Sequence, residues 1–112
     1  MINSYNFGRI VVDGTLYTAD LIILPSGILD SWWREKGHEL CLKDIKAVAE
    51  VHPDCLVVGT GAEAMMMVLP EVKRYYSEMG IELIVEDTPR ACKTFNSMST
   101  KKKMAAALHL TC

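Results

Sequence analysis

The sequence has little of the material by which most activities can be recognised. Aromatic residues make up only 7% of its 112 positions, and no apolar run approaches the roughly 20 residues that cross a bilayer, so no membrane span is expected. Neither sign of charge is in excess. With 12 Lys and Arg against 14 Asp and Glu, the formal net charge is −2, which leaves little to hold a phosphate backbone and argues against nucleic acid as a partner. The single basic cluster, Lys101-Lys-Lys103, reads as a solvated turn. The four cysteines (Cys41, Cys55, Cys92, Cys112) form no C-x-x-C pair, and His38, His52 and His109 are scattered. No metal site is expected from such spacing. Dispersed cysteines and a start, Met1-Ile-Asn-Ser-Tyr-Asn, without basic residues or an apolar run lead to the expectation of a reduced, cytoplasmic protein.

What is present is a core. Half of the residues are hydrophobic, and at this length they suffice for one domain over residues 1–112 but not for separate cofactor and catalytic domains. Arg9–Val12 and Thr15–Thr18 flank Asp13-Gly14, whose glycine accepts the positive φ of a type I′ turn, so an N-terminal β-hairpin is predicted, as an appendage leading into the main sheet. Asp20–Leu24 is a continuous apolar strand stopped by Pro25-Ser-Gly27. From Leu42 the period becomes helical through Ile45, Val48, Ala49 and His52, until Pro53-Asp54 ends it. Then follow a strand from Cys55 to Val58, a helix over Leu69–Met79 with proline in its first turn and Gly80 past its end, a strand Ile81–Val85, a helix from Thr88 to about Ser97, and a last strand Met104–Leu108. This alternation predicts an α/β fold with helices packed on a mostly parallel or mixed central sheet.

The segment Cys55-Leu-Val-Val-Gly-Thr-Gly-Ala-Glu-Ala64 has the look of half a dinucleotide unit. Gly59-x-Gly61-x-x-Ala64 follows a strand, and Glu86 or Asp87 ends the next one, where a ribose partner would sit. Against this stands Pro70. The phosphate-binding helix would start inside the glycine motif and carry Pro70 in its second turn, at a cost of about 3 kcal/mol, so the helix is placed from Pro70 onward. The glycines then form a strand-end turn, with no cofactor expected, or a non-nucleotide site at the same edge. Met65, Met66 and Met67 become a connection, and since adjacent side chains cannot all face inward, at least one is expected at the surface, where thioethers suit a partner.

Ligands in open α/β sheets gather at the carboxyl ends of strands. That rule collects Gly59, Thr60, Gly61, Asp87, Thr88, Arg90, Lys93 and Asn96 as the candidate ligand-binding edge. Asp87-Thr88 before Pro89 is first of all a helix cap. Arg90 and Lys93 are either a solvated basic stripe or a hold for an anion, while Ala91, Phe95 and Met98 face the core. For acid–base chemistry only Asp87 with His38 or Lys93 presents itself, and Cys92, between Ala91 and Phe95, reads as buried rather than nucleophilic. Of Trp32 and Trp33, one belongs to the core and the other to a surface.

Taken in order, Phe7-Gly-Arg-Ile-Val-Val-Asp-Gly14, Trp32-Trp33, His38, Val58-Gly-Thr-Gly61, Asp87-Thr-Pro-Arg-Ala91 and Thr94-Phe-Asn96 resemble the small domain family that includes mitochondrial complex I assembly factor three and the adipogenesis-associated domain proteins. The chain looks like a stand-alone prokaryotic member. The resemblance implies a three-layer α/β domain without demonstrated enzymatic activity and, for the mitochondrial members, an assembly role exerted through protein contacts. Family members commonly have Gly-Arg after the last helix, where this chain has Thr100-Lys-Lys-Lys103, so nothing here depends on a guanidinium at that point. Two functions are therefore carried forward. The first is a non-catalytic binding or assembly module with a protein partner or a second copy of itself; the alternative binds a small anionic metabolite or nucleotide, as carrier or enzyme, at the Gly59–Gly61 and Asp87–Lys93 edge.

Overall fold

The computed structural model describes residues 1–112. Ten strands and three helices follow in the order β1 (Ile2–Asn6), β2 (Arg9–Val12), β3 (Thr15–Tyr17), β4 (Leu21–Leu24), β5 (Gly27–Leu29), β6 (Glu39–Leu40), α1 (Lys46–Val51), β7 (Cys55–Gly59), β8 (Met67–Val68), α2 (Pro70–Glu78), β9 (Glu82–Glu86), α3 (Thr88–Met98) and β10 (Met104–Leu108). The central sheet has the order β5-β4-β10-β7-β9. Its β10–β7 and β7–β9 pairs are parallel and its β4 pairs antiparallel, so the sheet is mixed.

Why β7 and β10 occupy the middle is written in their composition. Every residue of Cys55–Gly59 and of Met104–Leu108 is buried, as continuous apolar runs must be when both faces of a sheet are covered. On one face Cys55, Val57, Ala106 and Leu108 meet Ala91, Cys92 and Phe95 of α3 together with Ile2, Ile10 and Val12. On the other, Leu56, Val58, Ala105 and Ala107 meet Ile45, Val48, Val72 and Tyr76. The three alanines of β10 are small enough to let both outer layers approach closely, and a leucine at any of them would overpack by about 1–3 kcal/mol.

Helix starts and stops follow local chemistry. Pro70 opens α2, and Gly80, at φ +74°, follows its C-cap Met79. The first helical segment begins as a 3-10 turn over Leu42–Ile45 and continues as α1, with His52 left-handed at its end (φ 50°) rather than inside the helix. Asp13 and Gly14 both have positive φ (48° and 82°), and β2 pairs antiparallel with β3, as the turn chemistry requires.

The hairpin is not an appendage. It pairs with β1 in a three-stranded sheet whose inward residues Ile2, Ile10 and Val12 join the core against α3. The short strands β5, β6 and β8, together with β1, go beyond what the sequence pattern indicates. Met67 and Val68 pair in parallel with Glu39 and Leu40, so the methionine connection contains a two-residue strand. No helix is long and apolar enough to cross a membrane.

Candidate functional site at the carboxyl ends of the central strands

The glycine turn is filled from within the chain. A Cβ on Gly59 would lie 2.9 Å from both Leu108 Cδ2 and Thr88 Oγ1, and one on Gly61, where φ is +112°, would run into the backbone of Cys112. The amides that would cradle a phosphate are already paired. Thr60 N–H donates to Glu86 O at 2.9 Å and Ala62 N–H to Thr111 O at 2.7 Å. Gly61 N–H donates to Thr88 Oγ1 at 2.8 Å, and Thr88 Oγ1 donates in turn to His109 O at 2.6 Å. Thr88 N–H closes the ring on Gly61 O at 3.0 Å.

The other edge residues do different work. Asp87 caps α3 by accepting the Arg90 N–H at 2.9 Å, and its second oxygen lies 3.6 Å from the exposed Arg90 guanidinium. Asn96 accepts the Ile2 N–H and donates to the Ile2 carbonyl, both at 2.8 Å, so it staples β1 to α3. Lys93 lies on the outer face of α3, beside a groove shared with Asn3, Tyr5 and Asn96. Gly59, Gly61 and Thr88 are thus brought together, while Arg90 is exposed in the first turn of α3 and Lys93 and Asn96 border the groove beside β1. Cys92 is buried, and burial pushes its thiol up to about 11.

A buried ionic cluster that has no local signature lies next to this turn. His109, at the carboxyl end of β10, donates its N–H to Gly59 O at 3.0 Å, and its ring Nδ1 lies 2.7 Å from Asp20 Oδ2. Nδ1 thus faces an acceptor in Asp20 and, 3.1 Å away, a donor in Arg34 Nη2; a proton on Nδ1 serves the shorter contact to the carboxylate and leaves the guanidinium beside it without a bond to the ring. Arg34 donates to Asp20 Oδ2 at 2.8 Å and to Gly37 O at 3.0 Å, and stacks over Trp32 with its guanidinium carbon 4.7 Å from the ring centroid. The second Asp20 oxygen accepts Leu110 N–H at 2.8 Å. Burial alone would raise the Asp20 carboxyl, but hydrogen bonds from His109, Leu110 and Arg34 outweigh it and hold the group below its ordinary value. Arg34 Nε and His109 Nε2 are buried without partners, and His38 stands edge-on to His109 with ring centres 6.2 Å apart. No side chain of the cluster lines any of the surface grooves. The cluster fastens the loop of residues 30–38 to β4 and β10.

Several large apolar side chains are exposed on the loops near this cluster's backbone. Trp32 packs on the core and donates Nε1–H to Asp44 O, whereas its neighbour Trp33 is 74% exposed. Met66 is buried and Met67 is 61% exposed, with Met65 and Phe7 also exposed. Backbone bonds tie the Phe7 and Met65 loops to the extension of the last strand, and Met67 to the loop that follows Trp33. Gly8 N–H donates to Leu110 O, Met65 N–H to Cys112 O, and Met67 N–H to His38 O.

Comparison with known proteins places this arrangement. Over residues 2–109 the chain matches the family model described as a protein of unknown function (DUF498/DUF598). It belongs to that family. Within the DUF498/DUF598 family's reach, the chain is 33% identical over 113 aligned residues to the Danio rerio protein named NADH dehydrogenase [ubiquinone] 1 alpha subcomplex assembly factor 3, covering 96% of this chain and 62% of that protein. The human protein of the same name is 27% identical, over 95% of this chain and 58% of its own length. The chain therefore spans about three-fifths of these relatives. A crystal structure of a conserved hypothetical protein from Pyrococcus horikoshii superposes with a TM-score of 0.85 at 29% identity, over 100% of this chain and 99% of that one. The α/β fold is shared with that protein, and the similarity to the assembly factors, first read in the ordered motifs, extends over 95–96% of the chain.

Proposed function

We propose that this chain is a non-catalytic binding module that works through protein contacts. The observation that carries the reading is the set of large apolar side chains, Phe7, Trp33, Met65 and Met67, each more than half exposed on loops held by backbone hydrogen bonds. Large apolar groups left exposed on ordered backbone are what an interaction surface uses, and tryptophan and methionine are frequent anchors in such surfaces. That the relatives bear the name of assembly factors lends the reading its direction. The alternative, an anionic ligand at the Gly59–Lys93 edge, has weaker support, because the amides of residues 60–62 are already bonded within the chain.

The test replaces Trp33 and Met67 together by serine. Both side chains are exposed, so stability should change little. Proteins cross-linked in cells to the wild-type and variant chains are then compared at equal expression. The reading expects a protein recovered with the wild type and lost with the variant; identical sets would sink it. A parallel melting screen against inorganic phosphate and dinucleotides serves the alternative, for which a ligand at 100 times its Kd would add about 2.7 kcal/mol.

A further inference from the structure

The central sheet ends at β9, and no strand lies beyond it. Glu82 N–H donates to Asp54 O at 3.1 Å and Glu86 O accepts Thr60 N–H at 2.9 Å. Residues 82, 84 and 86 therefore turn their backbone groups toward β7, and by the two-residue period Leu83 and Val85 turn theirs outward. The other sheet edges are poorer templates. β3 and β5 are three residues long, and β1 has a register break between Ile2 and Ser4.

Side chains alternate at right angles to the backbone groups. Ile84 packs on the α3 face, where the Thr94 hydroxyl also reaches Glu86 Oε1 at 2.6 Å. Leu83 packs on the α2 face and, with the exposed Val85, borders a groove of about 470 Å³ along Lys73 and Ser77. The edge thus presents two apolar residues on one face, and on the other an isoleucine bracketed by two carboxylates.

A second copy of the chain suits this edge badly. In antiparallel self-pairing about a two-fold axis at Ile84, Glu82 stands opposite the other copy's Glu86 at both ends. Centred on Leu83, the two Glu82 residues become diagonal neighbours; centred on Val85, the two Glu86 residues do. Like charges across strands are destabilising, and acidic edges of this kind guard against self-addition.

We infer that β9 is a strand-addition site for an extended segment of a protein partner, with Lys or Arg opposite Glu82 and Glu86 and an apolar residue opposite each of Leu83 and Val85. The pattern reads basic, apolar, any, apolar, basic, and serves a strand running in either direction. Main-chain bonds to residues 83 and 85 supply the affinity, and the alternating side chains supply the selectivity. Lys102 holds Glu82 at 3.2 Å, but both side chains are about half exposed, and such a surface pair exchanges at little cost. The inference rests on the reading of the chain as a protein-contact module and specifies the partner's chemistry.

The experiment titrates a short peptide, with arginine, valine, threonine, valine and arginine at its centre and serines at its ends, into isotope-labelled protein and follows amide exchange. At saturation the Leu83 and Val85 amides should slow about tenfold or more, an increment of about 1.4 kcal/mol, while those of Glu82 and Ile84, already facing β7, stay as they were. Exchanging the peptide's arginines for glutamates should weaken binding about tenfold or more. Val85→Pro removes one outward N–H and leaves the β7 ladder intact; it should weaken the peptide by a similar factor without lowering the melting temperature. Absent protection, equal binding of the acidic peptide, or protection that grows with protein concentration before any peptide is added would each overturn the inference, the last in favour of self-pairing. If the peptide fails while the Trp33 and Met67 double variant still loses its cross-linked protein, strand addition falls and the module reading stands.

Discussion

The hydroxyl of Thr88 donates to the carbonyl oxygen of His109 at 2.6 Å while accepting the Gly61 N–H at 2.8 Å. One fully buried side chain therefore joins the start of α3, the β7 turn and the end of β10. Thr88→Val keeps the shape and strands two buried polar groups, so a loss of about 2–4 kcal/mol is expected. Thr88→Ser keeps both bonds and sheds one methyl, for about 1 kcal/mol. Urea unfolding of the two variants, at equal m-values, checks the difference.

Gly61→Ala should be far more costly than Gly14→Ala. Both glycines have positive φ, but nothing lies within 4 Å of a Cβ at Gly14, whereas one at Gly61 meets the backbone of Thr111 and Cys112. The Gly14 change carries only the left-handed penalty, about 1–2 kcal/mol. Gly61→Ala must also displace residues 111–112, which would appear as faster exchange of the Ala62 and Met65 amides.

Asp20 ties stability to pH. Its folded carboxyl lies below the ordinary value near about 3.9 because His109, Leu110 and Arg34 hydrogen-bond its charged form. A depressed carboxyl stabilises the fold fully above the unfolded value, and that contribution disappears as pH falls through the folded one. Asp20→Asn should cost about 3 kcal/mol at pH 7, since it leaves the buried Arg34 charge uncompensated. The gap between variant and wild type should narrow below pH 4. A gap that stays constant to pH 2 would refute the assignment.

The cysteines should label in a definite order. Burial pushes Cys55 and Cys92 each up to about 11, so at pH 8 only about one thiol in a thousand is thiolate, and that one is enclosed. Cys41 is raised by partial burial and by its hydrogen bond to Asp44. Iodoacetamide at pH 8 should modify Cys112 first and Cys41 more slowly, with Cys55 and Cys92 reacting only in denaturant. Peptide mass spectrometry reads the order directly.

The fold was legible wherever the determinant is local. Asp13-Gly14, Pro70 with Gly80, and the fully apolar runs at 55–59 and 104–108 each carry their own cause and stand where the pattern puts them. β1 was not legible, because its Asn-Ser-Tyr-Asn stretch has little apolar content and its docking depends on Asn96, 94 positions away. At the candidate site, the Asp87 cap could be read from spacing, but the Thr88 bonds could not. The Asp20, Arg34 and His109 cluster left still less trace, since contacts spanning 75 and 89 positions have no periodicity to reveal them. A histidine after an alanine-rich strand reads as unremarkable until the sheet order places an aspartate and an arginine beside it.

The last strand lies in the middle of the sheet, between β4 and β7. During synthesis, all other strands of the central sheet are made before residues 104–108, and until then β4 and β7 have no common neighbour. The N-terminal strands must wait with apolar faces uncovered while the rest of the chain is made. Contacts between distant parts of a chain form slowly, and the pairing of β4 with β10 is such a contact, so the centre of this sheet depends on its most distant strands meeting.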